Sequence, residues 1–259
     1  LDDLQSGFRA LQVSGEDQKE DPLDFVLWKP KKEGEPYWTS PWCDGRPGWH
    51  IECSVMSKKY LGDEIDIHAG GEDLIFPHHE NEIAQSECCN DKIFARYWMH
   101  NAFLNIDNRK MSKSLGNFRT VREISEQYDL QVLRFFMLNA HYRSPLNFSA
   151  DLMESSKNAL ERITEAAARL RDRQAAATVQ EATEDEKKLM QEEAAFVTKF
   201  EESMDDDFNT ADALAAVFEL VKFANTNVQE GSSKEFAGHT LEVMTKLCDV
   251  LGLTLEKKE

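Results

Sequence analysis

The chain has no apolar run of about 18 residues, the length that predicts a transmembrane helix, so we expect no membrane span. Its seven prolines all fall before Leu146, so the remainder carries no strong helix breaker of this type. Cysteine is also scarce. Five cysteines, an odd number in a chain of 259 residues, argue against a disulfide scaffold and favour a reducing, cytoplasmic compartment.

The charge balance excludes another class of protein. The chain carries 30 basic and 48 acidic residues, for a net charge of -18. Both parts are acidic: residues 1–150 hold 17 basic and 24 acidic side chains, and residues 151–259 hold 13 and 24. Such a chain is not a general nucleic-acid binder, so any contact with RNA needs a locally basic surface.

The first part of the chain alternates strand-like and helix-like segments. Residues 25–50 are rich in Trp, Pro and Gly, which is typical of an ordered loop. Helices are predicted over Ser54–Leu61 and Asp73–Cys88, and strands over Glu64–His68 and Phe103–Ile106. This strand–helix–strand order predicts a parallel sheet with crossover helices.

The second part is predicted to be all helical. Val121–Tyr128 and Leu130–Ala140 have helical patterns, and apolar residues recur at helical spacing in four sets after Asp151. These apolar stripes are interpreted as core, so we expect four amphipathic helices in an antiparallel bundle. The predicted fold class is therefore α/β followed by all-α.

A cationic segment, Lys110-Met111-Ser112-Lys113-Ser114, precedes Gly116. We call residues Lys110–Ser114 the lysine loop. Two lysines three apart around a small hydroxyl residue, followed by a glycine turn, suit the phosphates of a nucleotide. Taken alone, the segment is also consistent with an ordinary solvated loop.

A second group of residues has metal-ligand chemistry. Cys53 supplies a thiol, and Pro77 suits the first turn of a helix from which His78 and Glu82, four apart, would project on one face. Thiolate, imidazole and carboxylate are zinc ligands, and three of them leave one tetrahedral position open. The alternative is that His78 and Glu82 lie on a solvated helix and Cys53 is a small core residue.

A third feature is a glycine pair, Gly70-Gly71, after the strand that ends at His68. Glycines at the carboxyl end of a strand let a nucleotide approach the backbone. Asp73 could accept hydrogen bonds from ribose hydroxyls. A two-glycine turn by itself is weak evidence.

The lysine loop matches the KMSKS signature of class I aminoacyl-tRNA synthetases in every letter. With the other features in this order, the chain resembles the cysteinyl-tRNA synthetases over residues 1–255. The segments that carry the resemblance are Ser40–Trp42, Gly45–Ser54, Asp66–His68, Phe76–Ser86, Tyr97–His100, Lys110–Asn117, His141–Ser144, Met204–Thr210 and Ala213–Leu214.

The resemblance implies a zinc site for the substrate. Cys53, His78 and Glu82 match three of the family's four ligands to one Zn²⁺, and the fourth is a cysteine expected ahead of Leu1. In the family this zinc binds the thiolate of substrate cysteine. Because a thiolate is a far better zinc ligand than a hydroxyl, discrimination against serine can be large without an editing site.

The resemblance also implies an ATP site and partners. Trp49 and His68 match residues lining the pocket for the amino acid and adenylate, and Gly70 and Asp73 lie in the adenosine-binding segment. Lys113 matches the lysine that contacts the ATP phosphates, and Lys110 and Ser112 support the same catalytic loop. The implied activity is activation of L-cysteine by Mg-ATP and its transfer to tRNA(Cys), without membrane contact; a monomer is expected, although the sequence does not reveal oligomeric state.

The implied architecture is the carboxyl-terminal half of a Rossmann-type nucleotide-binding domain followed by a helical bundle. We expect the end of a connective insertion and a surface loop over residues 1–46. The second half of the catalytic domain would occupy 47–118, a helical stem-contact region 119–150, and the bundle 151–259.

The chain departs from the family in four respects. It contains no His-Ile-Gly-His motif and no initiator Met, and an anticodon-binding region is not visible. We therefore expect it to be part of a longer polypeptide and unable to form cysteinyl-adenylate alone. Cys43 stands where the family is expected to have glycine; we interpret it as a bystander, the alternative being a substitute metal ligand.

Two other functions are consistent with these motifs. One is a mycothiol-type cysteine ligase, which shares the fold, the zinc and the KMSKS loop but passes cysteine to an amino sugar. The other is a non-catalytic relative that binds zinc or RNA. The form of the segment Glu80–Gln85 favours the synthetase.

Overall fold

A computed structural model describes residues 19–111, 116–117 and 119–256, with Lys110 described through its backbone alone. The chain divides into two compact units, residues 1–101 and 102–259. Across the described stretches, no helix is both long enough and apolar enough to cross a membrane. The predicted boundaries at residues 46, 118 and 150 stay predictions.

The first unit begins with a short antiparallel pair inside the predicted loop. Strand β1 (Trp28–Pro30) pairs with β2 (Gly45–Pro47). Gly45 permits this approach, because a Cβ there would lie 2.2 Å from the carbonyl oxygen of Lys29. Helix α1 (Trp49–Leu61) follows directly.

A two-stranded parallel sheet is the centre of the first unit. Strand β3 (Ile65–Gly71) pairs with β4 (Ala95–Asn101), and helix α2 (Glu80–Asn90) lies between them in sequence. A parallel sheet with a crossover helix is present as predicted, but its second strand is β4, which was not predicted; the predicted strand Phe103–Ile106 pairs in a separate sheet. Phe94 is buried at the start of β4.

The helix predicted from Asp73 is wrong in its start. A tight turn over Glu72–Leu74 leads into a wide turn over Ile75–His79, and regular helix begins only at Glu80. The cause is Pro77: the residue before a proline disfavours the helical region, and Phe76 is extended, with φ -131° and ψ 134°. The Phe76–Pro77 peptide bond is cis.

The second unit opens with a small sheet. Strands β5 (Leu104–Ile106) and β6 (Arg109–Lys110) form an antiparallel hairpin, and β5 also pairs in parallel with β7 (Leu146–Phe148). The hairpin turn places Asp107 and Asn108 at φ 48° and 61°, the left-handed geometry that two-residue hairpin turns require.

Helices make up most of the second unit. Two short ones precede β7, and five follow it in the described residues, where four were predicted. Their bounds are α3 (Val121–Ser125), α4 (Leu130–Leu138), α5 (Ala150–Ala176), α6 (Glu184–Glu192), α7 (Ala194–Asp205), α8 (Thr210–Asn227) and α9 (Lys234–Val250).

The core of this unit is drawn from α4, α5, α8 and α9. Phe135, Met153, Leu214 and Phe236 are each at most 1% exposed. The apolar stripes read as core in the sequence therefore do pack inside. We estimate that burying one such side chain contributes about 1.5–3 kcal/mol.

The extra helix arises at Glu193, where α6 ends and α7 begins. This side chain is fully buried. Its carboxylate accepts a 2.5 Å hydrogen bond from the Thr240 hydroxyl and lies 3.0 Å from His239 Nδ1, both on α9. Burial raises the pKa of Glu193, and these two partners oppose but do not cancel that effect.

This raised pKa makes stability depend on pH. A carboxyl whose folded-state pKa is raised contributes fully below its ordinary pKa, and that contribution is lost as pH rises through the folded value. Glu193→Gln cannot titrate, so its melting temperature relative to the parent should increase between about pH 4 and pH 8. Thermal unfolding across this range measures the difference. Glu192→Gln, at an exposed neighbour, is the control, and a pH-independent difference for Glu193→Gln would refute the account.

Candidate functional site

A buried carboxylate, Glu82, is the centre of a polar cluster at the carboxyl end of β3. Glu82 lies in the first turn of α2 and is 5% exposed. His68 Nε2 lies 2.8 Å from Glu82 Oε2. One ligand atom each from His68, His79 and Glu82 lie within 4.8 Å of one another, close enough for a metal ion to draw together.

Helix α1 contributes a thiol to the same place. The Cys53 thiol lies near enough to the Glu82 carboxylate for each group to shift the pKa of the other. One residue along, Ser54 Oγ donates to Gln85 Oε1 at 3.0 Å, so the two helices are joined at consecutive positions. We call His68, His79, Glu82 and Cys53 the Glu82 cluster.

Of the predicted ligands Cys53, His78 and Glu82, the structure brings Cys53 and Glu82 together. The ring of His78 instead lies 5.0 Å from that of His50. His79 occupies the position beside Glu82, three residues away, and it is buried. Sequence reasoning considered only the spacing of four, whereas residues three apart also share a helix face.

Strand β4 supplies an aromatic wall that sequence reasoning missed. Trp98 stacks on His100 with an interplanar angle of 8° and meets the His68 ring edge-on at 4.8 Å. His79 Nδ1 lies 2.8 Å from His100 Nε2. The segment Tyr97–His100 carried the family resemblance, and that was the available signal.

Burial keeps three imidazoles of this region, those of His79, His50 and His100, neutral. Desolvation, reinforced by His68, lowers the pKa of His79 to about 4. Burial also lowers the pKa values of His50 and His100. Near pH 7 each of these rings therefore carries a lone pair that a metal or a proton donor can use.

The two acidic groups of the cluster respond in opposite directions. Burial raises the pKa of Glu82, but hydrogen bonds and charge from His68, with the nearby Cys53 thiol, outweigh it and leave the pKa lowered. Burial and the Glu82 carboxylate both raise the pKa of Cys53. A cation would reverse this and release the thiol proton, because the thiolate is the ligand form.

Gly70 makes room for the cluster. A Cβ at Gly70 would lie 2.9 Å from His79 Cε1 and 3.0 Å from Leu74 Cδ1. The glycine thus admits the His79 ring against the strand. Its predicted contact with a nucleotide is a separate role and stays a prediction.

The remaining predicted site residues are spread over both units. Trp49, the first residue of α1, is 72% exposed, and Asp73 lies in the turn Glu72–Leu74. Lys110 ends β6, whereas Ser112 and Lys113 lie outside the described residues.

Cys43 is held by its backbone. Its N–H donates to Ser40 Oγ at 3.1 Å, and its carbonyl accepts from Trp28 Nε1 at 3.2 Å. Both bonds use main-chain atoms of Cys43 and neither uses its thiol. The bystander role of the thiol stays a prediction.

Comparison with protein families matches residues 1–158 to the catalytic domain of class I (C) tRNA synthetases and residues 199–256 to the DALR domain. Curated relatives named cysteine--tRNA ligase are 67% identical in Lachnospira eligens, 61% in Lachnoclostridium phytofermentans and 55% in Clostridioides difficile. Each match covers all of this chain and 55–56% of the relative. The chain therefore spans about half the length of these relatives.

A solved structure shares the fold. The ternary complex of Agrobacterium radiobacter K84 agnB2 LeuRS with tRNA and LeuAMS matches with a TM-score of 0.63 at 15% identity. The match covers 83% of this chain and 34% of that one. The predicted order, α/β followed by all-α, is thereby confirmed.

Proposed function

The chain belongs to the class I (C) tRNA synthetase family, and we propose that it supplies the cysteine-binding and phosphate-binding parts of an enzyme that joins L-cysteine to tRNA(Cys) using ATP. The observation that carries the proposal is the Glu82 cluster, where a thiol and a buried carboxylate meet two imidazoles, of which that of His79 is held neutral. The relatives named cysteine--tRNA ligase support it.

The donor set of the cluster fits Zn²⁺. Nitrogen, sulfur and carboxylate oxygen are the ligands that zinc takes in proteins. We propose Cys53, His78 and Glu82 as ligands, with Glu82 oriented by His68. The nearness of the Cys53 thiol to the Glu82 carboxylate, which raises the pKa of the thiol, supports two of the three. When bound, zinc would supply a soft Lewis acid that favours a substrate thiolate over the hydroxyl of serine.

A rival ligand set has the same carboxylate at its centre. His68, His79 and Glu82 form the compact group in this geometry, and the neutral state of His79 suits a ligand. Yet His79 Nδ1 already faces His100, and His68 Nε2 already faces Glu82. These bonds suit residues that orient ligands, which is why we favour Cys53 and His78.

The chemistry at phosphorus is assigned to the lysine loop. The substrate carboxylate would attack the α-phosphorus of ATP, accompanied by Mg²⁺, and pyrophosphate would leave. Such transfers depend on positioning and on stabilising charge at the phosphates. Lys113 would contact the phosphates, supported by Lys110 and Ser112, while Gly70 and Asp73 would hold the adenosine and Trp49 would line the pocket.

Zinc binding tests the site without needing activity. Cys53→Ser, His78→Asn and Glu82→Gln should each lower the zinc affinity of the chain at least about tenfold, as loss of a ligand or its support does. Zinc should also raise the melting temperature of the parent, by a stabilisation of about 2.7 kcal/mol at a hundredfold excess over Kd. Competition with a chromophoric chelator gives the affinity.

Matched variants separate the two ligand sets. Cys43→Ser and Cys88→Ser, which also remove a thiol, should retain zinc, whereas His79→Asn should weaken zinc binding less than His78→Asn does. Loss of zinc in His79→Asn with retention in His78→Asn would instead establish His68, His79 and Glu82 as the ligands. Unchanged affinity in Glu82→Gln would refute both sets.

Lys113→Ala tests the lysine loop. In a form of the protein that contains this chain and catalyses cysteine-dependent ATP–pyrophosphate exchange, it should lower kcat about a hundredfold, because a preorganised charge is lost at the phosphates. The KM for ATP should change far less. Lys188→Ala, which removes an exposed lysine from α6, is the control for charge. Unchanged exchange in Lys113→Ala would contradict the assigned role.

A further inference from the structure

The turn between α7 and α8 holds an unusual backbone. Asp207 and Phe208 have φ values of 56° and 54°, in the left-handed region that non-glycine residues seldom adopt. An aromatic residue there is a marked outlier. Strain of this kind persists only where surrounding contacts hold it, and it gathers at functional positions.

The contacts that hold this turn reach one segment, the loop that follows α4. Asp207 Oδ1 accepts a 2.7 Å hydrogen bond from the Tyr142 hydroxyl, and Asp207 Oδ2 lies 2.6 Å from an Arg143 guanidinium nitrogen. Nearby, the Thr210 hydroxyl donates to the carbonyl of Leu138 at 2.8 Å. The turn therefore contacts the loop between α4 and β7 at its start, through Leu138, and farther along, through Tyr142 and Arg143.

The loop between α4 and β7 is also hydrogen-bonded to the segment that leads into strands β5 and β6. The carbonyl of Tyr142 accepts from the N–H of Ala102 at 2.9 Å. Strand β7 pairs with β5, and β5 pairs with β6. The N–H of Met111 closes the path with a 3.3 Å bond to the carbonyl of Leu104.

We propose that Asp207 is a positioning residue for the β5–β6 hairpin, whose second strand ends at Lys110, the first residue of the lysine loop: it fixes Tyr142 and Arg143, and through them the hairpin. The inference rests on the proposed role of that loop in ATP chemistry. It assigns a structural role to two segments for which the proposed function gives none, His141–Ser144 and Met204–Thr210.

If Asp207 only stabilised the bundle, its removal would lower the free energy of unfolding of the whole unit. The positioning role predicts otherwise. The side chain of Asp207 is 36% exposed and that of Arg143 is 63% exposed, so their ion pair adds little to global stability. Removing it should leave the bundle folded. Only the geometry at the far end of the path, near Met111, should change.

Hydrogen exchange of the 259-residue chain tests the path directly. Asp207→Asn keeps a residue that tolerates left-handed backbone but loses the charge, and Tyr142→Phe loses only the hydroxyl. Each should speed amide exchange at Ala102 and Met111 about tenfold while amides in α5 keep the parent rate. The control is Glu219→Gln, which removes the Lys199–Glu219 ion pair between the same two helices.

Two exchange results would overturn the proposal. One is an unchanged rate at Met111 in both variants. The other is a uniform acceleration that includes α5, because it would reduce Asp207 to a stabiliser of the bundle. The same acceleration in Glu219→Gln would also count against a specific path.

Kinetics of the active protein tests the consequence. Both variants should lower kcat for ATP–pyrophosphate exchange about ten- to a hundredfold, as small misplacements do, with an unchanged KM for cysteine. Because they break one path, the double variant should be little worse than either single variant. Faster exchange at Met111 with an unchanged kcat would overturn positioning. An unchanged kcat in Lys113→Ala would instead contradict the proposed function, and the amide hydrogen-exchange result at Met111 would still hold.

Discussion

Ionisation of Glu82 inside the first unit is the constraint on which the rest of the site depends. A buried carboxylate costs several kcal/mol to desolvate, so it must be matched by hydrogen-bond donors. His68 on β3 lies at hydrogen-bond distance and the thiol of Cys53 on α1 lies close by, while Glu82 itself is on α2. One charge thereby ties a strand and two helices together, and it does so at the end of a parallel sheet, where ligands of such folds bind.

Burial makes ionised Glu82 costly in free energy, and it also prepares the surrounding side chains to bind a cation. It holds His79 neutral, with a pKa of about 4, and raises the pKa of the Cys53 thiol. Two bonds to partners, His68 with Glu82 and His79 with His100, then fix ring orientations before any ligand arrives. In the second unit, orientation is fixed by backbone rigidity and not by burial. There the strained turn at Asp207 holds the loop between α4 and β7 in place.

Much of this organisation could be predicted from sequence, since the strand–helix–strand order and the helical stripes each reflect one dominant period. The predictions that proved wrong depended on local competition. Pro77 forced Phe76 out of helical geometry and delayed α2 to Glu80, and one predicted helix is two in the structure, α6 and α7, which meet at the buried Glu193. His79 was overlooked beside Glu82 because its value as a neighbour comes from Gly70 and His100, which lie on other elements. The spacing of three from Glu82 allowed His79 as a neighbour, but spacing along one helix does not reveal partners on other elements.

X-ray absorption at the zinc edge tests the central claim most directly, namely that Glu82, together with Cys53 and His78, holds a metal that recognises the substrate thiolate. In the zinc-loaded protein, saturating L-cysteine should add one sulfur ligand at about 2.3 Å, whereas L-serine should leave the spectrum unchanged. An identical sulfur count with and without L-cysteine would contradict the account.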